Sequence, residues 1–297
     1  MIIVKPVGGL TSQMHKYAMG KALSLKHDVP LKLDLSWFED TQKTDTPWPY
    51  QLDYFHINAQ IATFDEIKSL KGSNFFNTWA RRIKRYIGIN LYKKTYINQS
   101  FLSKENFLKL GPNTYLEGEW AGFEYFSEYK KEILDELSLK IPLSLKTQEH
   151  LAKIKNENSV SMHIRRGDYV FNPEAAKFHA ICSSDYYQEA IDYITERLPD
   201  IKLYIFSDDI AWTKEHLHFD LDTIYVENTQ NYEDLELMAA CKHNIMANSG
   251  FSLWGAWMNQ NPSKIVISPT VWVFDTNINQ KILDSYQNQN FILIGPT

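Results

Sequence analysis

Between residues 160 and 268 the chain alternates short apolar runs with helical patterns, and this alternation narrows its folds more than any other feature. The runs cover 160–165, 203–206, 223–227, 244–247 and 264–268. Helical patterns lie between them at about 185–198, 211–217 and 232–241, and another begins near Phe251. A β-α-β series of this length predicts a parallel sheet covered on both faces. Such sheets take ligands at the carboxyl ends of their strands. The polar residues just after each run are therefore the ones to weigh.

The front of the chain opens in the same way. Ile2-Ile3-Val4 reads as a strand, Gly8-Gly9 as a turn and Ser12 as the N-cap of a helix. Met14, Tyr17, Ala18, Ala22 and Leu25 carry that helix's apolar spacing to Lys26-His27, and 30–35 alternates like a second strand. Residues 36–115 are less regular. Two prolines make 44–49 a loop, 115–118 reads as a strand, and 124–139 has a helical pattern. Ile141-Pro142-Leu143 breaks the chain, which predicts two domains, 1–142 and 143–297.

Composition excludes several classes. The 297 residues carry 31 Lys and Arg against 36 Asp and Glu, a net charge of −5 that disfavours a nucleic-acid binder. Eight Trp, 17 Tyr and 16 Phe suit a large core, and also sugar or base stacking. Two cysteines, Cys182 and Cys241, form neither a disulfide framework nor a CxxC site, and read as reduced thiols of a cytoplasmic protein. The N-terminus has no signal-peptide pattern, and no run reaches the roughly 18 apolar residues of a membrane span. The Asn98-Gln99-Ser100 sequon is read as chance. HExxH, CxxC, EF-hand, GxGxxG and P-loop patterns are absent, so no metal or cofactor is expected.

The candidate site residues follow the strand ends. In His163-Ile164-Arg165-Arg166-Gly167-Asp168, His163 and Arg165 share one strand face. A guanidinium there offers a planar fork of donors for phosphate. The plainer alternative is an Arg166–Asp168 ion pair. Asn248, Ser249, Phe251 and Ser252 lie where a strand gives way to a helix, a geometry that serves diphosphate binding and simple capping equally well. Ser207-Asp208-Asp209 follows another strand, as a hydrogen-bond acceptor for a nucleoside or as an N-cap. Gly8-Gly9 allows close backbone approach to a ligand. Residues 79–94 are basic and aromatic, read either as a peripheral membrane contact or as a solvated basic face over the core.

These segments together resemble the bacterial α-1,2-fucosyltransferases of glycosyltransferase family 11. The family's HxRRxD motif matches 163–168, its FSDD matches 206–209, and its NSTFSWWGAWL signature matches 248–258. Its opening GGLGNQMFQYA aligns with 8–18, with Thr11-Ser12 in place of Gly-Asn and His15-Lys16 in place of Phe-Gln. The resemblance implies an α/β GT-B fold, two Rossmann-like domains facing across a cleft. The C-terminal domain would hold GDP-β-L-fucose and the N-terminal one a glycan acceptor, free or lipid-linked. It assigns the β-phosphate to Arg165, with Asp168 beside it in the catalytic group, and places His163 near the nucleotide. Arg166, Asp208, Asn248, Ser249, Phe251, Ser252, Gly8, Gly9 and Ser12 complete the implied donor site. Transfer would be inverting and metal-independent, onto O2 of a galactoside, in the cytoplasm; the alternatives are another GDP-activated 6-deoxy sugar or linkage on the same fold, and a non-catalytic glycan- or nucleotide-binding protein. For the base that accepts the hydroxyl proton, Asp34, His15, Glu117 and Glu119 stay open.

Overall fold

The computed structural model describes residues 1–39, 48–72, 94–98, 102–118, 122–286 and 289–295. The chain forms two compact units, Met1–Ile141 and Pro142–Thr297.

The N-terminal unit is built on a five-stranded sheet of β1 (Ile2–Val4), β2 (Leu31–Leu33), β3 (Gln60–Ile61), β4 (Tyr96–Ile97) and β5 (Thr114–Leu116). Its order is β3-β2-β1-β5-β4, and every pairing is parallel. The helix Leu10–His27 crosses from β1 to β2. It starts two residues before Ser12, because Gly9 with extended backbone is its N-cap and no side chain caps it. Its Gly20 lies so close to the sheet that a Cβ there would stand 2.3 Å from Val4 Cγ1. The helical pattern at 124–139 divides into a 3-10 turn, Ser127–Tyr129, and a helix, Lys130–Glu136. Residues 44–47 of the 44–49 loop, Glu119 and 79–93 of the 79–94 stretch lie outside the described residues, which include Trp48, Pro49 and Lys94.

The C-terminal unit carries the long alternation. Its strands are β6 (Asn158–Ile164), β7 (Ile201–Ser207), β8 (Asp222–Tyr225), β9 (His243–Ile245), β10 (Val266–Pro269) and β11 (Ile292–Ile294). They run β11-β10-β9-β6-β7-β8, all parallel. Successive side chains of β7 serve opposite layers. Leu203 and Ile205 pack with Val160, Met162 and Ile164 beneath Tyr187, Ala190, Ile191 and Ile194 of the Ser184–Thr195 helix. Tyr204 and Phe206 pack with Ile154, Leu237, Met238 and Cys241 on the other side. Strand β6 departs from the all-apolar expectation. Ser159, Ser161 and His163 alternate with its apolar residues and are buried all the same. Ser161 is satisfied by Asn244, which donates to its Oγ at 2.7 Å.

No helix among the described residues is long and apolar enough to cross a membrane. Both cysteines are free, with Cys241 buried.

Candidate active site

Strand order fixes where the C-terminal unit receives a ligand. From β6 the chain proceeds outward through β7 and β8, then returns to β6's other side with β9. The carboxyl ends of β6 and β9 therefore flank the topological switch point, where parallel sheets open a crevice. Tyrosines on the Ser184–Thr195 helix pin both ends. Tyr187 donates to the His163 carbonyl at 3.2 Å, and Tyr186 to the Met246 carbonyl at 2.5 Å.

Arg165 leaves the end of β6 between two carboxylates. Its Nη2 lies 2.6 Å from Asp168 Oδ1 and its Nη1 2.8 Å from Asp208 Oδ2. A guanidinium has five N–H donors. The Asp168 pair is a hydrogen bond from Nη2, the Asp208 pair a charge contact, and the buried Nε has no hydrogen-bond partner among the described residues. Arg165 is thus held in place with donors to offer. Arg166 turns the other way. Its Nε donates to Asp209 Oδ2 at 3.1 Å, and its guanidinium lies 3.4 Å above the Trp212 ring. The ion pair weighed between Arg166 and Asp168 is therefore not the one formed: Arg165 takes Asp168 and Arg166 takes Asp209, because adjacent residues leave a strand end on opposite sides. The Arg166 backbone N–H donates to Asp208 Oδ1 at 2.8 Å. Gly167 is a matter of space, since a Cβ there would stand 2.4 Å from Asp208 Oδ2. Asp209, not Asp208, caps the following helix Ile210–His216, accepting from the Trp212 N–H at 3.3 Å.

His163 joins this strand end to the other one. Its ring centroid lies 5.6 Å from that of Phe251, in the first turn of the Gly250–Met258 helix. Burial, aided by the Arg165 charge, pushes its pKa down to about 3, so the imidazole is neutral. Its Nδ1 has no partner among the described residues. Ser249 caps the helix, accepting from the Phe251 N–H at 3.2 Å, while the Ser252 hydroxyl donates to the Ala247 carbonyl at 3.1 Å. Asn248 is committed to the protein. Its Nδ2 donates to the carbonyls of Ala180, at 2.7 Å, and Trp272, at 2.9 Å.

The remaining sequence candidates belong to the N-terminal unit. Gly8, at φ 71°, and Gly9 form the turn after β1, and Ser12 sits in the first turn of the following helix. Three of the four acid-base candidates are engaged. Burial raises the Glu117 pKa, but contacts with Lys71, Tyr96 and Lys5 outweigh it and hold the group below the usual range. Asp34 accepts the Tyr115 hydroxyl at 2.5 Å. His15, against Phe126 at 5.1 Å, is pushed by burial down to about 3.

The structure thus gathers His163, Arg165, Arg166, Asp168, Asp208, Ser249, Phe251 and Ser252 around one switch point. Sequence reasoning passed over Tyr169 and Trp212, whose rings touch the two arginines. Tyr169 adjoins the arginine motif directly, which was the available signal. Among the described residues no group of three or more His, Cys, Asp or Glu is placed to hold a metal ion.

The family model for glycosyl transferase family 11 matches residues 80–290, a span that includes the whole of this site. The chain belongs to glycosyltransferase family 11. Relatives in that family include an Escherichia coli alpha-1,2-colitosyltransferase, 34% identical over 92% of this chain and 92% of its own length. An O-antigen biosynthesis glycosyltransferase, WbnK, also from E. coli, is 32% identical over 95% and 98%. Galactoside alpha-(1,2)-fucosyltransferase 2 of Bos taurus is 24% identical over 48% of this chain. Among solved structures, NodZ alpha-1,6-fucosyltransferase soaked with GDP-fucose superposes with a TM-score of 0.50 at 13% identity, covering 86% of this chain and 92% of NodZ. POFUT1 in complex with GDP-fucose also gives 0.50, at 14% identity, covering 90% and 97%. The family 11 chain thus has the GT-B fold class, α/β with a parallel sheet in each unit.

Proposed function

We propose that this family 11 glycosyltransferase moves L-fucose from GDP-β-L-fucose to a hydroxyl of a glycan acceptor, O2 of a galactoside, with inversion. The observation that carries the reading is the convergence of two anion-binding elements at one switch point. A braced Arg165 with an unpartnered Nε ends β6, and the N-terminus of the Gly250–Met258 helix follows β9, joined to it by the His163–Phe251 contact. A helix N-terminus presents backbone N–H groups and partial positive charge, which suits a diphosphate. GDP-fucose in the matching folds of NodZ and POFUT1 supports the donor.

As the bond from C1 to the diphosphate oxygen breaks, its electron pair passes to the diphosphate and the sugar gains oxocarbenium character. Arg165 and the helix N–H groups are aimed at that growing charge, and preorganised donors of this kind dominate such catalysis. The acceptor hydroxyl adds to C1 from the opposite face as its proton passes to a general base, for which Asp34, His15, Glu117 and Glu119 stay open. In this reading the charge of the leaving group is met by protein donors, so turnover persists in EDTA.

The donor site would comprise His163, Arg165, Arg166, Asp208, Ser249, Phe251 and Ser252, with Asp168 bracing Arg165. Gly8, Gly9 and Ser12 would complete the donor site from the N-terminal unit, which would also hold the acceptor. A second reading keeps the site and changes the sugar: the 34% identical colitosyltransferase favours a colitosyl group. Calorimetric titration with GDP, followed by mass spectrometry of products from a panel of GDP-sugars and galactosides, tests both. Mass gain from GDP-fucose supports the first, gain from GDP-colitose alone the second, and absence of GDP binding defeats both.

A further inference from the structure

We propose that Tyr169 is a positioning residue that sets the Arg165 guanidinium in register with the turn entering the Gly250–Met258 helix, an inference that rests on the diphosphate reading of this site. Tyr169 lies one residue beyond the arginine motif and is buried. Its ring stacks on His179, with centroids 4.1 Å apart and planes 4° from parallel, and the Arg165 guanidinium lies over it at 5.3 Å. Its hydroxyl donates to the Asn248 carbonyl at 3.2 Å. That carbonyl is itself fixed, because the Asn248 side chain is tied to Ala180 and Trp272. Tyr169 is thereby one rigid side chain joining the end of β6 to the turn after β9, across the switch point.

The kind of contact matters. A carboxylate hydrogen-bonded to Arg165 occupies an N–H donor, whereas a ring beneath a guanidinium restrains its plane by cation–π attraction and leaves the donors at its edge available. Asp168 and Asp208 hold the two terminal nitrogens of Arg165, and the Tyr169 ring backs its guanidinium at 5.3 Å. Tyr169 is protonated at neutral pH, and burial pushes its pKa further up, to about 12. The ring and the hydroxyl have separable roles. Phenylalanine would keep the platform and release the link to Asn248, and leucine would remove both.

A double-mutant cycle on GDP binding tests this, with calorimetric dissociation constants for wild type, Tyr169→Leu, Arg165→Lys and the double variant. We expect Tyr169→Leu to weaken GDP about tenfold in the wild-type background and less than about twofold beside Arg165→Lys, since a residue acting through another is coupled to it. Tyr169→Phe should fall between, at about threefold, the loss of one hydrogen bond. Equal losses in both backgrounds, or no loss with leucine, would overturn the role. Should the leucine variant fail to fold, the same cycle with phenylalanine decides by the same criterion. A wild-type protein that takes up no GDP would instead defeat the diphosphate reading, and this role with it.

Discussion

The Asp208 carboxylate meets Arg165 Nη1 at 2.8 Å through one oxygen and takes the backbone N–H of Arg166 through the other, also at 2.8 Å. One side chain from the end of β7 therefore sets both the guanidinium and the backbone of the β6 turn. Removing Arg165 should be the most damaging single change in the site. Arg165→Ala is expected to lower GDP release from GDP-fucose by about 10²–10³-fold, the scale of losing a preorganised donor. Arg165→Lys should recover little, because an ammonium cannot satisfy both carboxylates and a phosphate with a planar fork. Initial rates, with thermal melts to confirm folding, check this.

Gly167→Ala should act through the same carboxylate. The new Cβ would stand 2.4 Å from Asp208 Oδ2, so Asp208 must move and release Arg165. A cost of about 1–3 kcal/mol is expected, the usual range for overpacking. Denaturant unfolding measures it, and GDP affinity should fall in parallel. Unchanged affinity would place Asp208 outside the support of Arg165.

Stability should fall in acid through two buried imidazoles. His15 and His163 are both pushed down to about 3 from an ordinary 6.5. Unfolding takes up a proton on each between those limits. The stability held by the neutral rings is complete above pH 6.5 and drains away as pH falls toward 3, by about 1.4 kcal/mol per pH unit for each ring. His15→Phe, in a pocket already lined by Phe123 and Phe126, should make the pH dependence shallower by one ring's share. Urea unfolding at pH 4.5, 5.5 and 7 gives the slopes.

Asn248→Asp should destabilise more than Asn248→Ala. Alanine strands the Ala180 carbonyl, at about 1–3 kcal/mol for an unsatisfied group, while the Trp272 carbonyl keeps the Ala180 N–H at 3.2 Å. Aspartate removes the same donor and sets a carboxylate against both carbonyls in a buried site. The order of melting temperatures decides.

Much of the C-terminal unit was legible because most of its strands carry short apolar runs bounded by turn residues, so β6 to β10 fall close to the runs read from the sequence. The strands β3 and β4 have two residues each and leave no periodicity to find. The helix Leu145–Asn156 and strand β11 went unread, the former resting on a Ser144 cap and few apolar positions. Ser12 misled because the helix opens at Gly9, an extended glycine with no side-chain cap, and Ser12 already lies in its first turn. In the site, the motif pointed to Arg165 but not to its partners. Asp208 is 43 residues distant in the chain, and Asn248 is fixed by carbonyls 68 and 24 residues away. The two readings of Ser207-Asp208-Asp209 are both realised in part, since Asp209 caps the helix and Asp208 turns to the arginines.

Around Arg165 and Arg166 stand Asp168, Asp208 and Asp209, three carboxylates facing two guanidiniums. Before any ligand arrives the cluster is already neutralised and slightly anionic. A small free anion, with nothing else to grip, would find little net attraction there. Occupancy must instead be won by a molecule whose other parts add binding of their own.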